Sequence, residues 1–203
     1  LLASASADQT AIVWDAADGR ALRVLNGHQA AVNACAFSPD ARQLATASAD
    51  HTLMVWDLAA GSQRLLAGHD AAVKALAWSD DGEMLISASA DGTLRRWHVA
   101  SKAMSQVYTG HTDWVVGCAV ASAAGLAASA SIDGTVRVWD ITHAVNTPTT
   151  RTVSKPHVLA CAAVPHRRRL FTTRADLGLT HWNADTRRRV HVLRGHEAEV
   201  RGC

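Results

Sequence analysis

A tryptophan recurs at nearly constant spacing: Trp14, Trp56, Trp97, Trp139 and Trp182 stand 42, 41, 42 and 43 residues apart. Nothing else in the sequence limits the fold so strongly, because a period of roughly 20–50 residues means small units that bury their apolar faces against copies of themselves. A histidine marks the same units at His28, His69, His111 and His196. From His to Trp the distance is 28 residues in three copies, whereas from Trp to the next His it is 13 or 14. One part of the unit is held at fixed length and the rest tolerates insertion.

The fixed part has a chemical reading. Six residues before each Trp stands an Asp (Asp8, Asp50, Asp91, Asp133, Asp176), and four before each Asp stands a hydroxyl (Ser4, Thr46, Ser87, Ser129, Thr172). An indole N–H only donates, a hydroxyl accepts and donates, and an imidazole accepts on one nitrogen while donating from the other. A relay from Trp to Ser/Thr to His to Asp therefore satisfies every member, as buried polar groups require. The expected relay sets are His28, Thr46, Asp50 and Trp56; His69, Ser87, Asp91 and Trp97; and His111, Ser129, Asp133 and Trp139. Thr172, Asp176 and Trp182 form a set without its imidazole. Ser129, His111 and Asp133 also have the composition of a hydrolase triad. They recur in every intact unit and end on a Trp, so repetition argues for structure over nucleophilic catalysis.

With Gly-His openings, this internal spacing and Trp-Asp closings, best seen in GHTDWVVGCAVASAAGLAASASIDGTVRVWD (110–140), essentially the whole chain resembles the WD-repeat (WD40) family. The resemblance implies an all-β chain, a β-propeller of four-stranded antiparallel blades, about five of them visible. The repeat frame divides the chain into a partial repeat 1–27, repeats 28–68, 69–110 and 111–153, a degenerate repeat 154–195 and the start of another at 196–203. In the first full repeat, alternation and turn residues predict strands near Val32–Phe37, Gln43–Ser48, Leu53–Asp57 and Gln63–Ala67. In the degenerate repeat Val153-Ser154 replaces Gly-His, and a blade of ordinary shape with weaker packing is expected. Either 200–203 completes the first blade and closes a five-bladed ring, or the chain is an arc of a longer, seven-bladed propeller. The arc is favoured, since seven blades are usual in the family it resembles.

Composition bounds the rest. With 48% hydrophobic residues, 19% charged and a net charge of +2, the chain is neither disordered nor membrane-spanning, and no apolar run is long enough for a transmembrane helix. Cys35, Cys118 and Cys203 each lie seven residues after a repeat His, and Cys161 lies seven after Ser154. They are one repeat position seen four times, read as free thiols that suit a reducing cytoplasm. No phosphate loop, metal-binding motif or nucleophile elbow is present, so neither enzyme activity nor a cofactor nor a metal is expected.

What remains is surface. The resemblance implies that other proteins or peptides dock on the channel-face loops, through positions three and five after each Gly-His histidine and the residue before each turn Asp. Carried onto this chain, the informative positions are Lys74, Trp114, Val116, Ile132, His157, Leu159 and Arg201. Trp114 has no counterpart in the other repeats, and aromatic anchors concentrate interface energy. Residues 151–203 carry 11 basic against 4 acidic residues, including Arg167-Arg168-Arg169 and Arg187-Arg188-Arg189, both expected in turns. Interleaved aromatics are missing there, so nucleic acid is disfavoured. The expected function is a non-catalytic protein–protein interaction scaffold. The resemblance also allows a regulatory or sensor module of a larger signalling protein whose kinase or ATPase domain lies outside this segment.

Overall fold

The computed structural model describes residues 1–101, 103–142, 149–152, 158–164, 169–174, 178–183, 186 and 188–194. The described residues form nineteen strands, one 3-10 turn at Ser122–Ala124 and no α-helix. The first sheet holds β1 (Leu2–Ala5), β2 (Thr10–Trp14) and β3 (Ala21–Asn26). The second holds β4 (Val32–Phe37), β5 (Gln43–Ser48), β6 (Thr52–Asp57) and β7 (Gln63–Ala67). The third runs through β8 (Val73–Trp78), β9 (Met84–Ser89), β10 (Leu94–His98) and β11 (Ala103–Tyr108). β12 (Val115–Ala121), β13 (Leu126–Ser131), β14 (Thr135–Asp140) and β15 (Thr149–Thr152) make the fourth. The fifth is β16 (Val158–Val164), β17 (Arg169–Arg174), β18 (Gly178–Asn183) and β19 (Arg188–Arg194). Each sheet is an antiparallel meander in chain order.

The four strands expected in the first full repeat are the four found, apart from one extra residue at the start of β6. A correction falls on the arginines. Arg169 opens β17 opposite Val164, and Arg188 and Arg189 lie in β19 opposite Asn183 and Trp182. Pairing with the neighbouring strand draws these positions out of the expected turns. A terminal strand at 200–203 lies outside the described residues.

First strands of successive sheets abut, β4 against β8, β8 against β12 and β12 against β16, which sets the sheets side by side as blades. Both faces of the middle blades are thereby buried. Ala45, Ala47, Leu53 and Val55 of the second blade meet Leu76, Leu85 and Trp97 of the third. Ile86, Ala88 and Leu94 then meet Cys118, Val120, Ala127 and Trp139 of the fourth. Alanines on one face let the bulky Trp, Leu and Ile side chains of the next blade approach, and Trp97 and Trp139 keep 1% of their surface exposed. Burying a residue of that size removes about 150–250 Å² from water.

Two of the Gly-His glycines, Gly27 and Gly68, have a packing cause. A Cβ on Gly27 would stand 3.0 Å from the Trp56 ring, and one on Gly68 would stand 3.1 Å from the Trp97 ring. A side chain at either position would press on the ring, so glycine eases the close approach of the outer loop to the buried indole.

Candidate functional site

The end of each blade that carries the Gly-His loop and the Asp turn is built by one hydrogen-bond set, repeated three times. Trp56 Nε1 donates to Thr46 Oγ1 at 2.9 Å, Trp97 Nε1 to Ser87 Oγ at 2.8 Å and Trp139 Nε1 to Ser129 Oγ at 2.8 Å. The same oxygens lie 2.7–2.8 Å from Nε2 of His28, His69 and His111. Nδ1 of each imidazole lies 2.7–2.8 Å from Asp50, Asp91 and Asp133. Because the indole can only donate, the hydroxyl proton is left for Nε2, and Nδ1–H then donates to the carboxylate. In the first blade Trp14 Nε1 donates to Ser4 Oγ at 2.9 Å. Of the degenerate set, Thr172 is buried, the Trp182 backbone pairs with Arg189, and Asp176 lies outside the described residues.

Each Asp does more than orient the imidazole. Its second oxygen accepts from the backbone N–H and hydroxyl of the residue two ahead, Thr52, Thr93 or Thr135. Its own N–H donates to the hydroxyl two behind, Ser48, Ser89 or Ser131. Those serines in turn donate to carbonyls of the loop after the histidine, at Ala30 and Ala31, Ala71 and Ala72, and Asp113. These six residues were missed by the sequence reasoning, although the signal is present as Ser-x-Asp-x-Thr in four repeats.

The electrostatics follow from these contacts. Burial pushes Asp50 and Asp133 upward, yet hydroxyl, imidazole and backbone donors outweigh it and hold both carboxyls at about 2. Asp91 is likewise held well below the usual carboxylate range against its burial, chiefly by His69 and Thr93. Burial lowers His111, with Asp133 opposing. Ser129 is fully buried, and its hydroxyl is taken up between Trp139 and His111. That arrangement secures a turn; it leaves no opening through which a substrate would reach the oxygen. Cys118, in β12, is pushed up to about 12 by burial, and Cys35, in β4, is raised for the same reason.

The Asp that closes the Trp-Asp pair has a separate role, capping the turn into the outer strand. Asp57 Oδ1 accepts from Ala59 and Ala60 N–H, and Asp140 Oδ1 accepts from Thr142. Asn183 does the same for Thr186 N–H at 2.9 Å, whereas His98 occupies that position in the third blade.

Of the positions expected to meet a partner, Lys74, Trp114, Val116 and Ile132 gather on this same end. Ala49 N–H donates to Ala31 C=O, Ala90 to Ala72 and Ile132 to Trp114, all within 2.8–3.0 Å. The residue before the turn Asp is thus tied to the residue three after the histidine. Asn33, Lys74, Val116 and Leu159 are each the extra residue where pairing of a first strand with its neighbour shifts register. A bulge of this kind re-aims a side chain. Asn33 Nδ2 reaches across to Val73 C=O of the next blade at 2.7 Å. Lys74 likewise reaches across, placing Nζ 5.3 Å from the centre of the Trp114 ring. Trp114 remains 49% exposed, while Val116 and Ile132 are half-buried. His157 and Arg201 lie outside the described residues, and so does the side chain of Leu159.

Blades of four antiparallel strands, stacked by their first strands and closed by a Trp–hydroxyl–His–Asp relay, define a β-propeller of repeating units. The family described as "WD domain, G-beta repeat" (WD40) matches residues 19–57, 61–98 and 103–140, more than half of the chain. The chain belongs to the WD40 repeat family, whose members generally serve as non-catalytic protein–protein interaction scaffolds. Among curated proteins it is similar to "WD repeat and SOCS box-containing protein 1" of Homo sapiens and of Xenopus tropicalis. Each match is 53% identical over 45 residues, which is 22% of this chain and 11% of the relative. No helix among the described residues is long and apolar enough to cross a membrane.

Proposed function

We propose that this propeller segment holds a protein partner against the turn end of its third and fourth blades, with Trp114 as the anchor. The observation that carries this reading is Trp114 itself: 49% exposed, on a backbone whose carbonyl is fixed by Ile132 N–H at 3.0 Å. An aromatic ring displayed by a rigid frame loses little entropy on binding, which is where interface energy concentrates. The equivalent positions Ala31 and Ala72 offer nothing comparable. A second reading, a regulatory module joined to another domain, draws support from the relatives, whose name couples WD repeats to a SOCS box. A reducing, cytoplasmic setting belongs to the same proposal and rests on thiols such as Cys118, which is free and buried.

Photo-crosslinking from position 116 in extracts of the source cells, followed by affinity measurement on the purified partner, tests the anchor. Trp114→Ala is expected to weaken that partner by about 2 kcal/mol or more. Full retention of affinity by Trp114→Ala removes Trp114 from the interface.

A further inference from the structure

Lys74 is a cation held in place with no counter-ion among the described residues. Its bulge position aims it across the blade boundary, and its ammonium stands 5.3 Å from the Trp114 ring centre, so the long side chain is restrained. Arg95, in β10 of the same blade, is a contrast: it lies 3.1 Å from Asp70 and 3.6 Å from Asp91, and donates to Gly68 C=O. Among the described residues no carboxylate pairs with Lys74. The nearby Asp113 carboxylate is turned to the Trp114 backbone N–H at 2.7 Å. At Asn33 the same bulge position is satisfied by a carbonyl of the next blade, at 2.7 Å. Lys74 has three ammonium protons, of which the ring face takes up the charge on one side only.

From this pairing we infer that the partner presents an acidic residue next to an apolar one, the carboxylate to Lys74 and the apolar side chain to the exposed surface of Trp114. The inference rests on the anchor role proposed above and adds the chemistry of what is anchored. Restraint of the ammonium before binding lowers the entropy lost when a carboxylate arrives, and the adjacent indole excludes water from one side of the pair. A basic partner residue would meet like charge at Lys74, so the pair also selects against such segments.

The test is selection of a displayed library of random linear peptides on the immobilised chain, followed by affinity measurement of the enriched peptides against wild type, Lys74→Met and Trp114→Ala. Methionine keeps the stem of Lys74 and removes the charge, and a thermal melt of each variant verifies folding. The expected result is enrichment of Asp or Glu beside an aromatic or large aliphatic residue. Such peptides should lose about tenfold in affinity on Lys74→Met, and little further when the acid is also changed to its amide. Binding that depends on Trp114 but shows no acid preference and is unchanged in Lys74→Met overturns the inference and leaves the anchor role standing. If no enriched peptide depends on Trp114, both fall.

Discussion

The fourth and fifth blades share a topology and differ in chemistry. In the fourth, Trp139, Ser129, His111 and Asp133 form an unbroken relay, with Ser131 and Thr135 holding the Asp turn. In the fifth the sequence replaces the His by Ser154, the turn Ser by Arg174 and the turn Thr by Gly178. Across its strands Phe171 instead stacks on His181 at 4.8 Å, with His191 beyond it at 6.1 Å. The strand order and even the register shift at the start of the first strand are nevertheless the same. Sheet formation therefore does not depend on the relay; it follows from strand patterning and stacking of apolar faces. What the relay adds is a fixed, hydrogen-bonded end to each blade that carries it, on which a binding residue such as Trp114 keeps its place.

The largest expected effect lies where relay and packing coincide. Trp139→Ala removes a buried ring and the indole donor to Ser129, and should cost about 3–5 kcal/mol in denaturant unfolding. Asp133→Ala leaves that ring in place but strips His111 Nδ1, Thr112 N–H and Thr135 of their acceptor, costing about 1–3 kcal/mol. The matching change at Asp176, whose imidazole, Ser and Thr partners are absent from the sequence, should stay within about 0.5 kcal/mol. Equal losses at Asp133 and Asp176 would erase the distinction between the blades.

Acid provides a graded version of the same contrast. Asp50 and Asp133 have folded values depressed from 3.8 to about 2, so the stability they contribute is complete above roughly pH 4 and is lost as pH falls toward 2. His111 is also depressed from 6.5; the unfolded chain binds its proton first, and stability declines as pH drops below about 6.5. Thermal melts from pH 7 to pH 2 should show both declines, with Asp133→Asn flattening the lower one. The smallest effect separates two intact turns. His51 occupies φ 72° where the third blade has Gly92 at φ 81°. His51→Gly should stabilise the chain by about 0.5 kcal/mol, the relief of strain being partly offset by glycine's greater freedom when unfolded.

Much of what is repeated was legible in the sequence. The Trp period located the blades, and the donor and acceptor logic of Trp, Ser, His and Asp joined residues 10 to 22 positions apart. Ser48 and Thr52 were equally periodic, but they bind backbone groups, and backbone partners leave no second residue type to find in the sequence. The Asp after Trp14, Trp56 and Trp139 was visible as a family feature, yet the capping of Ala59 and Ala60 by Asp57 depends on turn geometry. Lys74 and Trp114 were both picked out as surface positions. Their meeting was hidden because it crosses from one blade to the next through a bulge, and a bulge slips the strand register without marking the residue types around it.

Hydrogen exchange followed by mass spectrometry, resolved by strand, tests the central claim most directly. If the relay fixes the blades that carry it, amides of β5, β9 and β13 exchange only through the slowest, global opening, and those of β17 exchange faster through local opening. Protection in β17 equal to or greater than that in β13 would contradict the account.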